Sequence, residues 1–223
     1  MIFWQLLPRL QDPGYWVPYV VLMGILLLAL ARNVFEARFF EFLRMAFSDK
    51  YIKVYRDPSY LLTSYSIFLF IVQLCSFSML IMLLLDHLGI TERTNLRYFI
   101  RVFVMLFSGI LIKFLLDRIL GVIFKFEEMI DQFNLNKLTY RSYVGMLLFP
   151  LVCALFFVDH VNNTLLYSLI IVILSINLIT YLLSLRNYQN AVFGKFLYFI
   201  LYLCLVEFSP YLLIYFLILK NPF

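Results

Sequence analysis

Charged residues and histidine are scarce in this 223-residue sequence. Only 14% of the residues are charged and two are histidine, whereas 64% are hydrophobic. Soluble domains are about half apolar and about a quarter charged, so the composition indicates an integral membrane protein. The 18 Lys and Arg exceed the 13 Asp and Glu, but most of this excess lies in a few loops, and no nucleic-acid surface is predicted.

Cysteine and the motifs of soluble enzymes are also lacking. The three cysteines, Cys75, Cys153 and Cys204, fall in different apolar stretches without a CxxC spacing, which excludes a disulfide or metal framework. The sequence has no GxGxxG, Walker, HExxH or GxSxG motif. No apolar stretch contains a histidine, which argues against a buried haem. We therefore expect no enzyme, no catalytic residue, no metal and no cofactor.

Long apolar stretches make up most of the chain, and we interpret six of them as transmembrane helices. They cover about residues 15–31, 60–85, 98–124, 143–158, 165–185 and 196–219. The sequence thus predicts a single all-α, multi-pass membrane domain over residues 1–223. The first stretch ends like a signal-peptide cleavage site, but its charges follow it instead of preceding it, so a retained span is favoured.

The third of these stretches is unusual because it contains four charged residues. These are Arg101, Lys113, Asp117 and Arg118. Either the helix ends near Leu116, or a long tilted helix carries Lys113 close to the middle of the membrane. The second interpretation is favoured because residues 119–124 are apolar again.

Two amphipathic segments lie between the predicted spans. In residues 32–49, Phe and Leu recur at helical spacing, and the opposite side collects Arg38, Glu41 and Arg44. This pattern predicts an interfacial helix along the membrane, although a simple extension of the first span fits it as well. Residues 125–141 predict a second interfacial helix before the fourth span.

Basic residues favour one side of the predicted bundle. Twelve lie in the loops after the first, third and fifth spans, whereas four lie on the opposite side. The positive-inside rule places the twelve, and both interfacial helices, at the cytoplasm, so both termini face the periplasm of a bacterium. The first of these loops includes Arg38, Arg44, Lys50, Lys53 and Arg56.

The last apolar stretch contains a lone carboxylate, Glu207, about a dozen residues from either end. Pro210, three residues later, removes one backbone hydrogen bond. A carboxylate at this depth is costly unless it is neutral, paired or facing a polar cavity. In one interpretation Glu207 pairs with Lys113. In the other, Asp117 satisfies Lys113 from one helical turn away, which leaves Glu207 neutral.

An Asp-His pair ends both the second and the fourth span. The four residues, Asp86, His87, Asp159 and His160, face the periplasm in this topology, where they could surround a metal. The spacing matches no metal signature, and histidine at a span end is usually a capping or interfacial residue, so no metal site is predicted. A tandem repeat would also explain the two pairs, but the low identity between the copies favours chance.

Three segments carry a resemblance to a known family: residues 38–51, 140–150 and 199–211. They resemble a domain-of-unknown-function family of small multi-pass inner-membrane proteins from the Bacteroidota. The most specific mark is the closing pattern LYxCxxExxP, formed here by Leu201, Tyr202, Cys204, Glu207 and Pro210. The resemblance covers about residues 32–219 and implies a bacterial inner-membrane protein.

The resemblance implies an envelope process specific to one phylum, such as type IX secretion, gliding or the handling of surface glycans and lipoproteins. Our first hypothesis is a non-catalytic subunit of an inner-membrane assembly for protein export, type IX or Sec-related. Its partners would be the lipid bilayer and other membrane subunits. The alternative is a small proton-coupled transporter or flippase that uses Glu207. A lipid-modifying enzyme built on the two Asp-His pairs is disfavoured.

Overall fold

The computed structural model describes residues 14–46, 51, 54–55, 63–124, 127–158, 164 and 166–176. The helices are α1 (Val17–Val34), α2 (Glu36–Leu43), α3 (Ser64–His87), α4 (Leu96–Phe124), α5 (Glu127–Phe156) and α6 (Leu166–Ile176). A short 3-10 helix, Arg44–Ala46, follows α2. No strand occurs in this part of the chain. The predicted all-α class is confirmed.

Four of these helices, α1, α3, α4 and α5, are long and apolar enough to cross a membrane. Their apolar segments contain 18 to 28 residues, and about 20 residues suffice to cross the hydrocarbon core of a bilayer. These helices indicate a membrane protein. Helix α6 covers the described part of the fifth predicted span, and the sixth, residues 196–219, lies outside the described residues.

Helix α3 is the central helix of the described bundle, because it contacts α1, α4 and α5. Its buried side chains point in all directions, from Tyr65 near one end to Leu85 near the other. A helix that is apolar all round is expected at such a position. Helix α4, in contrast, buries few side chains and presents an apolar surface outward.

Helices α1 and α2 are separate. Phe35 departs from helical geometry, with φ −126° and ψ 48°, and α2 begins at Glu36. Of the two interpretations of residues 32–49, the structure therefore has the separate amphipathic helix. Phe42 of α2 is buried and packs edge to face on Tyr65 of α3 and Tyr143 of α5. Helix α2 thus lies across one end of the bundle, which we call the α2 end.

The opposite end, which we call the Trp16 end, is held together by short turns. The Trp16 Nε1–H donates a hydrogen bond to the carbonyl oxygen of Thr94 at 2.6 Å. Two residues after the end of α3, Gly89 adopts a left-handed φ of 70°. The next amide, of Ile90, donates to the carbonyl oxygen of Leu85 at 3.0 Å, which is the hydrogen bond of a Schellman motif.

Helix α5 is one continuous helix, and this corrects the sequence-based prediction of an interfacial helix over 125–141 and a separate span over 143–158. The separation is wrong because polar residues in and next to this segment are buried inside the bundle and do not mark a membrane surface. Asn134 and Ser142 are buried, and the Ser142 hydroxyl donates to Oε1 of Gln73 on α3 at 3.0 Å. Hydropathy cannot distinguish a polar residue in a helix contact from one in water.

Candidate functional site

The guanidinium group of Arg38, on α2, lies among three tyrosines at the α2 end. Its Cζ atom is 4.6 Å from the ring centroid of Tyr65, 4.8 Å from that of Tyr55 and 6.0 Å from that of Tyr51. These distances fall within the range of cation–π attraction. Its Nη1 also donates to Oγ1 of Thr63 at 2.9 Å. We call this arrangement the Arg38 cage.

Arg38 and Arg44 share the polar side of the predicted interfacial helix, but their surroundings in the structure differ. Arg44 is exposed, whereas Arg38 is half-buried and donates through Nε to the Tyr51 hydroxyl at 3.1 Å. Burial raises the pKa of the Tyr51 phenol, although the neighbouring Arg38 charge partly opposes this shift. Tyr51 therefore stays a neutral phenol at physiological pH, and its oxygen accepts the hydrogen bond from Arg38.

A cavity of about 170 Å³ lies between α3, α4 and α5 on the same side of the bundle. Its polar lining comprises three basic side chains, a carboxylate, an amide and a hydroxyl: Lys113, Lys137, Arg141, Asp117, Asn134 and Ser66. The rest of its wall is apolar and includes Ile67, Phe70 and Leu111. We call this cavity the basic cavity. It encloses charged groups between apolar helices.

The α4–α5 hairpin brings these side chains together. Only residues 125 and 126 separate the two helices, which pack against each other. Lys113 lies eleven residues before the end of α4, and Lys137 lies ten residues after the start of α5. At 1.5 Å per residue both lie about 15 Å from the connection. Asp117 and Asn134 also lie at matching positions along the two helices, since each is seven residues from the connection.

Lys137, Asn134 and Arg141 are members of this site that the sequence analysis does not predict. A separate interfacial helix over residues 125–141 places them outside the interior of the bundle. In an antiparallel helix pair, residues at equal distances from the connection lie side by side. Applied to α4 and α5, this rule places the three residues beside Lys113 and Asp117. The long helical third span, predicted to continue past Leu116, is confirmed by α4.

The two lysines, Lys113 on α4 and Lys137 on α5, line the basic cavity from facing helices. Ammonium groups donate hydrogen bonds and accept none, so two charged lysines in one cavity repel each other. Asp117 is buried and interacts favourably with Lys137, and the Phe133 ring centroid is 5.6 Å from the Lys137 nitrogen. The pairing of Lys113 with Glu207 stays a prediction, because Glu207 lies outside the described residues.

The Asp-His pair of α3 contributes to structural contacts at the Trp16 end. Asp86 Oδ1 accepts from the backbone amide of Arg93 at 3.2 Å, and His87 Nε2 lies 3.1 Å from the Tyr167 hydroxyl on α6. No group of three or more His, Cys, Asp or Glu that could hold a metal occurs where the structure describes the chain.

The remaining sequence-predicted site residues cannot be placed in the bundle. Residues Lys50, Lys53, Arg56, Asp159, His160, Glu207 and Pro210 lie outside the described residues. Whether the two Asp-His pairs meet therefore stays a prediction, as does the role of Glu207.

A polar seam holds α5 against α3 and so positions the basic cavity. The Ser76 hydroxyl of α3 donates to the carbonyl oxygen of Gly145 on α5 at 2.8 Å. A Cβ atom on Gly145 would lie only 2.8 Å from the Cα of Gln73. The two backbones therefore approach as closely as glycine allows, a common device in membrane helix pairs. Lys137 and Arg141 lie one to two turns before this crossing.

These features define a multi-helix membrane protein that encloses ionisable side chains between its helices. The family model described as Domain of unknown function (DUF4271) matches residues 17–218. The chain belongs to this family, which confirms the resemblance to an uncharacterised domain family. No curated protein and no solved structure matches the chain. The Bacteroidota origin and the closing motif as a family mark stay predictions.

Proposed function

We propose that the protein is a non-catalytic subunit of an inner-membrane assembly in the Bacteroidota that serves protein export or secretion, type IX or Sec-related. The observation that supports this proposal best is the outer surface of α4. Residues Ile100, Val104, Leu111, Leu115 and Val122 follow one side of this helix and are all exposed in the described part of the chain. Such a face suits contact with lipid and with helices of other subunits.

The polar side chains near the helix ends also suit a structural role. Asp86 and His87 contact Arg93 and Tyr167, respectively. Arg38 of α2 donates a hydrogen bond to Thr63, the residue before α3. Each of these groups is engaged in a contact that holds the bundle together. This pattern is typical of a scaffold more than of a site that must bind and release a reactant.

Purification from the native host tests the subunit proposal. A tagged protein extracted in a mild detergent is expected to elute with a defined envelope protein at a constant ratio, measured by quantitative mass spectrometry. A photocrosslinking residue at Leu115, exposed on α4, is expected to capture that same protein. The control position is Val152, which is buried on α5. A protein that elutes alone, with no crosslink at Leu115, would contradict the proposal.

The proposed topology has six spans, with both termini in the periplasm and the α2 end in the cytoplasm. Arg44 at the α2 end and Glu92 at the Trp16 end are both exposed, and the described cysteines, Cys75 and Cys153, are buried. In a Cys204→Ser background, a membrane-impermeant maleimide is expected to label Glu92→Cys in intact cells but not Arg44→Cys. Labelling of Arg44→Cys alone would reverse the proposed orientation.

A small transporter or flippase is the second candidate function. The basic cavity favours it, because charged groups enclosed between apolar helices mark substrate or ion pathways in many membrane proteins. In the proton-coupled version Glu207 carries the proton. Full function of Glu207→Gln in the native host would exclude that version, whereas loss of function with an unchanged amount of membrane-inserted protein would support it.

A further inference from the structure

We propose that the basic cavity binds the phosphate group of an anionic ligand, and that this ligand is the headgroup of an anionic phospholipid or a free phosphate. The first argument is charge. Three basic side chains and one carboxylate, all on α4 and α5, line the same cavity. A bound anion would stabilise the surplus positive charge, and the low dielectric between helices strengthens that attraction. This inference does not rest on the proposed subunit function.

The second argument is the placement of the two lysines. Lys113 and Lys137 line the same cavity at similar distances from the α4–α5 connection, so their positive charges repel each other. A phosphate oxygen that accepts from both replaces this repulsion with two charge-assisted hydrogen bonds. Arg141 lies one helical turn after Lys137 and lines the same cavity. Its planar guanidinium can bind a second phosphate oxygen, a geometry for which arginine is suited.

The third argument is an unpartnered amide. The Nδ2 group of Asn134 is buried and has no hydrogen-bond partner among the described residues, and Asn134 lines the cavity with 6% of its surface exposed. A buried donor without an acceptor is costly, and a ligand oxygen in the cavity would satisfy it. The amide thus adds a neutral donor to the three cationic ones.

The shape of the cavity favours the phospholipid over free phosphate. Its volume of about 170 Å³ is several times the share of one water molecule in the liquid, about 30 Å³. Ile67 and Leu111, on its apolar wall, are each 45% exposed at the outer surface of the helices. In the described part of the chain, this wall of the cavity therefore faces sideways, where acyl chains lie in a bilayer. A headgroup can enter it while the acyl chains stay outside.

Thermal unfolding of the full-length protein in an uncharged detergent tests this proposal. Short-chain phosphatidylglycerol is expected to raise the unfolding temperature in a saturable manner, and short-chain phosphatidylcholine to raise it much less. For Lys137→Gln and Arg141→Gln, the apparent affinity for phosphatidylglycerol is expected to fall about tenfold to a hundredfold, since each variant removes a charged hydrogen-bond donor. Asp117→Asn removes the opposing carboxylate and is expected to tighten binding.

Arg118→Gln is the matched control. Arg118 follows Asp117 on α4, but its side chain is exposed and does not line the cavity. This variant is expected to bind as the wild type does. Saturable stabilisation by inorganic phosphate alone, lost in Arg141→Gln, would assign the site to a free anion. Equal effects of the two lipids, or unchanged binding by both Lys137→Gln and Arg141→Gln, would overturn the proposal.

Discussion

Gly145→Ala is expected to lower the unfolding temperature of the purified protein by several degrees. The added methyl group would lie 2.8 Å from the backbone Cα of Gln73, so α3 and α5 must move apart. Overpacking of this kind costs about 1–3 kcal/mol. Separating the helices would also lengthen the hydrogen bond between the Ser76 hydroxyl and the Gly145 carbonyl oxygen. Thermal unfolding in detergent, followed by tryptophan fluorescence, measures the change.

Gly109→Ala provides the matched control for Gly145→Ala. Gly109 also lies inside a membrane-spanning helix, α4, but a Cβ atom there meets nothing within 4 Å in the described structure. Because alanine favours a helix over glycine by up to about 1 kcal/mol, this variant is expected to be neutral or stabilising. Equal destabilisation by the two variants would show that the close α3–α5 crossing is not the cause.

Arg38→Gln is expected to destabilise the protein by about 2 kcal/mol, because it removes charge-assisted hydrogen bonds and cation–π contacts. The guanidinium donates to Thr63 and to Tyr51, and Tyr55 and Tyr65 surround it. These contacts connect α2 to α3 and to the segment between them. The variant is also expected to speed proteolytic cleavage between residues 43 and 63, which gel electrophoresis and mass spectrometry of the fragments would measure.

Arg44→Gln is the control for the Arg38 cage, since Arg44 is basic, close in sequence and exposed. It is expected to change the unfolding temperature and the cleavage rate little. Arg38→Lys retains the positive charge but loses the planar guanidinium group. Its stability is therefore expected to lie between those of the wild type and Arg38→Gln. If Arg44→Gln and Arg38→Gln were equally destabilising, the contribution of Arg38 would be one of net charge and not of the cage.

The Arg38 cage and the basic cavity are neighbours. Ser66 and Leu138 line both the basic cavity and the space beside Arg38. The Ser66 hydroxyl also accepts a hydrogen bond from Nη2 of Arg38 at 3.4 Å. Four basic residues, on three different helices, thus gather on one side of the bundle. The proposed topology places that side at the cytoplasm.

The amino-acid sequence alone is enough to assign this protein to the membrane class. Apolar stretches of about 20 residues and the shortage of charge are enough to predict membrane helices, because only an internally hydrogen-bonded helix is stable in lipid without a partner. The starts of α1, α3 and α4 lie within a few residues of the predicted spans. The break between α1 and α2 does not follow from the sequence, which fits a separate helix and an extension of α1 equally well. Both alternatives have the same helical spacing of apolar residues.

Which polar side chains lie inside the bundle follows from contacts between helices, and these contacts are seen in the structure alone. Arg38 and Asn134 have the sequence context of exposed residues, yet one is enclosed by tyrosines and the other is buried beside the basic cavity. Burial of a polar group depends on what the neighbouring helix offers it, and here the partners are distant in sequence: Thr63 for Arg38 and Gln73 for Ser142. Helical periodicity gives the face on which a residue lies but not the helix that this face meets.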